Sequence, residues 1–374
     1  MRFQKKSLNI SAQGAAMSSI NFISPTVKEI KDKLSKSGGL FNVVSFFAGG
    51  GGSSTGYRIA GGNILLVNEF IDEAVATYKA NWPDTQIINR DIRDIKSSEV
   101  LNRINMKEGE VDIIDGSPPC SAFSTSGSRE KGWGKRKKYS DKSQENIQDL
   151  FFDYIRMVNE IKPKVFIAEN VKGLAIGNAK GYLNIILREL KSCGYNVEAR
   201  IIDASRLDVP QTRNRLIIIG IRNDLYKNKY KGRFHPEKKP YIIPVIKCFS
   251  GLEFTEKDRI DTDISEYKVY EKLVNLKSGC ADIKRFNLVK ADPLKPCPCI
   301  TATSGCNSAA AARHWDNRSF TVSEVKRIMT LPDDYILTGS FKQKIERMGR
   351  MVPPLMMKNI AENIFKLGVL NGDS

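Results

Sequence analysis

The sequence lacks any long apolar run: no stretch of about 18 consecutive hydrophobic residues occurs, which excludes a membrane-spanning helix of ordinary length. Its start, Met1-Arg-Phe-Gln-Lys-Lys6, has no apolar core of the secretory kind, so a cytoplasmic protein with no membrane partner is expected. Paired Cys-x-x-Cys motifs are missing too. Seven cysteines, an odd number spread over 374 residues, fit reduced thiols better than a disulfide framework. Cys297-Pro-Cys299, with Cys280, Cys306 and His314, lacks the spacing of a zinc site, and no metal is expected. Acidic residues are in deficit, 42 against 59 lysines and arginines, for a net charge of +17. That imbalance favours a polyanionic partner, because each phosphate that a cation neutralises releases counterions. Hydrophobic content of 41% is ordinary and allows one large core or two domains.

What is present is organised around Val111-Asp-Ile-Ile-Asp-Gly-Ser-Pro-Pro-Cys120. A short apolar run bounded by Gly116 reads as a buried strand, and the two prolines stiffen the turn that presents Cys120 beyond its end. Upstream, residues 1–23 are small and polar with no sustained period. Ser24-Pro25 reads as a helix cap and first helical residue, with Val27, Ile30 and Leu34 on one face and Gly38-Gly39 as the stop. This helix is expected to pack on the domain that follows. Asn42–Phe47 reads as a buried strand, and Gly49 to Gly52 let the backbone approach a ligand at a helix entry. Glu69, after the strand Ile64–Val67 and about 20 residues on, is where an acid accepts ribose hydroxyls. Taken alone, this pattern does not separate a nicotinamide site from an S-adenosylmethionine site. Asp91 reads either as a ligand acid or as a helix cap.

Between Gly127 and Gln148 comes Ser128-Arg-Glu-Lys-Gly-Trp-Gly-Lys-Arg-Lys-Lys-Tyr-Ser-Asp-Lys142, seven basic residues against two acids, a cationic loop suited to phosphates. Leu150–Ile161 has helical spacing and is stopped by Pro163; Lys164–Ala168 is a buried strand that delivers Glu169, where desolvation favours the protonated form a proton donor needs. A helix over 178–192 and strands over Val197–Ile202 and Leu216–Ile221 follow, the last preceded by Gln211-Thr-Arg-Asn-Arg215, whose arginines alternate. From Asn223 to Asn317 the periodicity fades into lysine, proline and short β-like runs, with Cys297–Thr303 reading as a strand and turn that lead back to the main domain.

Set in order, Phe47-Ala-Gly-Gly-Gly-Gly52, Glu69, Asp91, Pro118-Pro119-Cys120, Leu150-Phe-Phe-Asp153, Glu169-Asn-Val171, Gln211-Thr-Arg-Asn-Arg215 and Val352-Pro-Pro354 resemble the motifs of the cytosine-5 DNA methyltransferases, over residues 42 to 222 and 318 to 365. The resemblance implies an α/β fold with a Rossmann-like S-adenosylmethionine-dependent methyltransferase sheet and a smaller, mostly β or irregular target recognition domain. It implies the division 1–40 leader and helix, 41–222 catalytic, 223–317 target recognition, 318–374 return to the catalytic domain. It assigns catalysis to Cys120, Glu169, Arg213 and Arg215, and cofactor binding to Phe47, Gly49, Gly51, Gly52, Glu69, Asp91, Ile92, Pro119, Leu150 and Met351. DNA contact falls to Ser124, Ser126, Lys135, Arg136, Lys137, Lys138 and Gln211. The expected partner is double-stranded DNA, bound by a monomer; a cognate restriction endonuclease acting on the same site is admitted. Two departures stand out, Arg350 where asparagine is common before Val352-Pro-Pro354, and Ser121 in place of glutamine after Cys120. The competing readings are the tRNA-methylating branch of the same fold and a non-catalytic DNA-binding regulator.

Overall fold

Valine, isoleucine and phenylalanine recur in the strand segments of this chain, and β-branched and aromatic side chains fit a pleated surface covered on both faces. In the computed structural model, which describes residues 23–119, 137–138, 143–144, 149–177, 179–285 and 287–370, these segments are β1 (Phe41–Phe46), β2 (Gly62–Asn68), β3 (Gln86–Ile88), β4 (Ile113–Gly116), β5 (Val165–Val171), β6 (Tyr195–Asp203) and β7 (Asn214–Arg222). They form one sheet in the order β3-β2-β1-β4-β5-β7-β6. Every pairing is parallel except those of β7, which runs antiparallel to both β5 and β6. The carboxyl ends of the parallel strands therefore share one edge with the amino end of β7.

Helices cover both faces. On one side α4 (Ser97–Ile104), α5 (Leu150–Ile161) and α6 (Ala179–Ser192) bury Val100, Tyr154, Met157, Ile186 and Leu190 against Val44, Phe46, Phe166 and Ile218. On the other lie α2 (Gly52–Ile59), α9 (Val322–Ile328), α10 (Phe341–Arg350) and α11 (Pro354–Lys366), packed on Val43, Ile167, Ile217 and Ile219. The glycines of the first motif make this second layer possible. A Cβ on Gly52 would stand 2.4 Å from the carbonyl of Val352, and one on Gly56 2.4 Å from that of Pro354, so α2 and α11 meet backbone to backbone. The helix α3 (Asp72–Asn81) follows β2.

The leading helix, α1 (Val27–Ser37), does pack on the domain: Val27 and Ile30 join the second core layer, and the Val27 amide donates to Asp334 at 2.8 Å. Its cap differs from the expected one. Thr26, not Ser24, accepts from the Glu29 amide, and Glu29 reaches back to Thr26 in a reciprocal capping box. Ser24 instead donates to the carbonyl of Thr330. Gly38 ends the helix with φ of 69°, as its glycine implied.

Residues 223–317 are irregular rather than β. Among the described residues they hold helices α7 (Glu256–Thr262) and α8 (Lys268–Val274), and strands only two residues long, Val289–Lys290, Cys297–Pro298 and Ala312–Arg313. A small cluster of Ile264, Val269, Leu273 and Leu288 is their own; Val245, Cys248, Cys297 and Ile300 belong to the main core. Cys297–Pro298 pairs with Gln211–Thr212, which stitches the end of this segment to the entry of β7.

Candidate active site

At the shared edge of the sheet the chain leaves a cavity of 770 Å³. Its floor is made by strand ends. β5 carries Glu169 and β7 carries Arg215, in the register Ile217 opposite Glu169 and Arg215 opposite Val171. Both side chains emerge on the same face of neighbouring strands, and Arg215 Nε lies 2.8 Å from Glu169 Oε1 with both groups mostly buried. Glu169 lies within the strand, which runs three residues beyond the apolar stretch of the sequence. A carboxylate and a guanidinium can share such a desolvated position because each compensates the other. The next strand along, β4, ends at Gly116, and Ser117, Pro118 and Pro119 then line the same cavity. Asn170 Nδ2 donates to the Pro118 carbonyl at 3.1 Å and so holds this segment over Glu169. Cys120, Ser124, Ser126, Lys135 and Arg136 lie outside the described residues. Lys137 and Lys138 are described only as a backbone pair with Ser143 and Gln144.

The other end of the cavity is built by the β1 and β2 ends. Phe47 takes a left-handed conformation with φ of 56°, which turns the chain sharply out of β1, and Gly49 follows with the same φ and no atom within 4 Å of where a Cβ would be. Glu69 accepts from the Gly49 amide on one oxygen and the Ile71 amide on the other, each at 2.7 Å. Burial pushes its carboxyl above the usual range, and the two amides pull it back. Glu69 itself lines the cavity, where a carboxylate can accept from hydroxyls. Phe70, Ile71 and Ile92 supply apolar wall beside it. An open glycine, a carboxylate in the cavity wall and apolar side chains beside it fit a nucleoside-bearing cofactor such as S-adenosylmethionine.

The sequence-derived candidates divide between those that line the cavity and those that do not. Phe47, Gly49, Glu69, Ile92, Pro119, Met351, Glu169 and Arg215 do come together around this one cavity. Gly51 and Gly52 do not line it: a Cβ on Gly51 would stand 2.6 Å from the Tyr335 hydroxyl, so these two glycines make room for the second helical layer. Asp91 caps the turn Ile92–Asp94, accepting from the Arg93 amide at 3.1 Å and pairing with its guanidinium at 2.7 Å, which leaves Ile92 as that turn's residue in the wall. Leu150 is fully buried at the start of α5 within the opposite core layer. Gln211 is 0% exposed, with its amide oxygen accepting from Ile300 N at 3.0 Å and its amide nitrogen against Met329 Sδ. Arg350 sits at the rim, paired with Glu346 at 2.8 Å.

Arg213 also lines the cavity, with its guanidinium turned to backbone carbonyls. Only 2% exposed, it donates to the carbonyls of Ile300 at 2.9 Å, Gly349 at 3.1 Å and Met351 at 2.9 Å. Burial lowers its guanidinium to about 10, and no carboxylate pairs with it among the described residues. It braces the point where the intervening segment and the final helices converge behind the cavity.

Two contributors had been passed over. Asn170 was inside a recognised motif, and its position next to Glu169 was the available signal. Arg347, from α10, lines the cavity, pairs with Glu73 of α3 at 3.0 Å and pulls the Glu69 carboxyl down; nothing local in the sequence links residues so far apart. Asp115, two residues before Ser117, lies beneath this edge with its carboxyl raised to about 6, by burial first and by the nearby charge of Glu169, against three hydroxyl donors. Among the described residues no cluster of three or more His, Cys, Asp or Glu is placed to hold a metal, and no helix is long and apolar enough to cross a membrane.

The brace predicts a separation of roles between two arginines. Arg213→Lys, unable to reach three carbonyls at once, should lower unfolding free energy by about 2–4 kcal/mol in urea titrations. Arg215→Lys, which keeps a charge beside Glu169, should cost about 1 kcal/mol or less. Equal losses would contradict the bracing role.

A family model described as C-5 cytosine-specific DNA methylase matches residues 41–366, from the first residue of β1 to the last of α11. The type II methyltransferase M.PspPI of a Psychrobacter species is 30% identical over 353 residues, covering 87% of this chain and 79% of that protein. M1.HphI of Haemophilus parahaemolyticus, also a type II methyltransferase, is 27% identical over 340 residues, covering 87% and 86%. Among solved structures, the S. pombe Dnmt2 methyltransferase shares the fold with a TM-score of 0.60 at 18% identity, covering 87% of this chain and 98% of that one. Because one family's pattern runs through the whole sheet, both helical layers and every wall of the cavity, the chain belongs to the C-5 cytosine-specific DNA methylases, enzymes that methylate cytosine in DNA from S-adenosylmethionine.

Proposed function

We propose that Cys120, Glu169 and Arg215 carry the methylation of a cytosine flipped out of double-stranded DNA, and that residues 223–317 choose the site. The observation that supports this most is the Glu169–Arg215 pair facing Pro118 and Pro119 within the cavity that also holds Glu69. Carbon 5 of cytosine is a poor nucleophile, so a thiolate must first add at carbon 6, which pushes an electron pair toward carbon 5. Cys120, one residue beyond Pro119, is that thiolate. Glu169 protonates N3 and stabilises the electron-rich ring; Arg215, released from part of its pairing when the base enters, orients the base carbonyl. Bound S-adenosylmethionine supplies the electrophilic methyl group. Loss of the carbon 5 proton then expels Cys120. Glu69, Phe47 and Ile92 hold the cofactor, and the basic run that contains Lys135, Arg136, Lys137 and Lys138 closes on the backbone. Flipping costs a few kcal/mol, which protein contacts must offset.

In the recognition segment, the stretches 279–285 and 287–290 are tied by Gly279 N to Lys290 O at 2.8 Å and Lys290 N to Cys280 O at 3.0 Å. The second stretch, through Asn287 and Val289, lines the cavity. The first exposes Ile283, Lys284 and Arg285, shaped by Asp282, which accepts from the amides of Lys284 and Arg285. A duplex delivering a base to Glu169 passes these residues. As with type II relatives, a restriction endonuclease cutting the same site is the expected companion, and the protein acts as a monomer.

Cys120→Ser should abolish methylation of duplex DNA while cofactor and DNA binding persist; turnover within about tenfold of the wild type would sink the covalent mechanism. Preferential methylation of tRNA by the wild type would redirect the substrate. Glu69→Ala should raise the cofactor KM by about tenfold, roughly 1.4 kcal/mol, with most of kcat regained at saturation, since ribose contacts are equal in ground and transition states. Replacing both Lys284 and Arg285 by alanine should weaken binding at all sequences and flatten the slope of log affinity against log salt by roughly two, one per phosphate contact. An unchanged slope would remove these residues from the interface.

A further inference from the structure

Asp115 takes no part in the chemistry above, yet it is a carboxylate only 1% exposed, and no cation pairs with it among the described residues. It lies on β4 opposite Ser45 of β1 and Ile167 of β5, on the sheet face that also carries Glu169. Oδ2 accepts from Ser45 Oγ at 2.8 Å and Ser53 Oγ at 2.7 Å, and Oδ1 accepts from Tyr57 Oη at 3.1 Å. An apolar side chain would fill this place without any desolvation cost, so the carboxylate does something that packing alone does not. Its three partners show what. Ser53 and Tyr57 belong to α2, the helix entered through the turn Phe47–Gly51 that lies beside Glu69, while Asp115 itself belongs to the strand that runs out into Pro118 and Pro119.

The opposite face of the same strand end is fixed as well. A Cβ on Gly116 would stand 2.4 Å from the Tyr154 ring, and the Tyr154 hydroxyl donates to the carbonyls of Ile114 at 3.2 Å and Ile167 at 3.0 Å. The root of the nucleophile loop is thus held from below by α5 and from above by α2. We infer that Asp115 is a positioning residue that locks the cofactor-bearing turn to the root of the Cys120 loop, and so sets the gap that the methyl group must cross. This rests on the reading of Cys120 as the thiol that adds to carbon 6.

The consequence can be separated from that reading. Thiolate addition at carbon 6 places an electron pair at carbon 5, which takes a deuteron from heavy water. Removal of the original proton then expels the thiolate and leaves deuterium on the base, with no methyl transferred. Exchange therefore reports Cys120 and the base alone, whereas methylation also needs the cofactor in register. In Asp115→Asn, single-turnover methylation at saturating cofactor should fall about tenfold or more, while exchange into duplex DNA in the presence of S-adenosylhomocysteine stays within about threefold of wild type. Ser53→Ala added to Asp115→Asn should bring no further loss, because the two act through one tie. If Asp115→Asn fails to fold, Ser53→Ala with Tyr57→Phe cuts the same tie to α2 while leaving the carboxylate, and should shift the ratio in the same direction. Parallel falls in both reactions, which loss of folded protein alone would produce, or additive effects of Ser53 and Asp115, would overturn the inference. No exchange by the wild type would overturn the thiol reading and this inference with it, whereas wild-type exchange with an unmoved ratio would overturn the inference alone.

Discussion

The ion pair between Glu169 and Arg215 is possible because a single strand of the sheet runs backwards. Parallel strands bring only their carboxyl ends to the edge where ligands bind. β7, running antiparallel, brings its amino end to the same edge, and the register that sets Ile217 opposite Glu169 leaves Arg215 one diagonal step away on the same face. A one-residue slip would turn Arg215 to the other face and leave Glu169 buried without its partner. The loss of one member of such a pair is far more costly than the pair itself is stabilising, on the order of 3–5 kcal/mol, so register and site are specified together.

The rest of the edge is arranged around that pair by groups that fix backbone rather than touch a substrate. Asn170 holds the Pro118 carbonyl, Tyr335 donates to the Gly50 carbonyl at 2.5 Å, and Arg213 gathers three carbonyls from two separate stretches of chain. These bonds run between residues from 52 to 285 positions apart in sequence. They turn loops, which otherwise have freedom, into walls with definite spacing, and catalysis that depends on a thiol, an acid and a methyl donor in line needs that spacing. The end of the chain matters for the same reason: α10 and the turn that closes it supply Arg347 and Met351 to a cavity whose other walls come from distant parts of the chain.

Where sequence reading worked, it worked through local physics. Leu150–Ile161 shows helical spacing, and the helix has those bounds, because an amphipathic face is a property of neighbouring residues. Where it failed, the competing partner was distant. Ser24 lost the cap to Thr26 since Glu29 stands three residues after Thr26, and Ser24 found the Thr330 carbonyl 306 positions away. Gln211 and Arg213 likewise bond to distant groups, Ile300 and Met329 in one case and three carbonyls in the other.

The sequence by itself determined the order of strands and helices, the glycine turn after β1, the acid after β2, and the presence of a cysteine behind two prolines, since each follows from residue type and short-range spacing. Tertiary structure alone decided which of the four glycines line the cavity and which do not, which of two alternate arginines pairs with Glu169, and that Arg347 lines the cavity with Asp115 buried near its edge. Those choices depend on which surfaces come within about 3 Å of one another, and hydrogen bonds and ion pairs fall away so steeply beyond that range that chain order cannot reveal them.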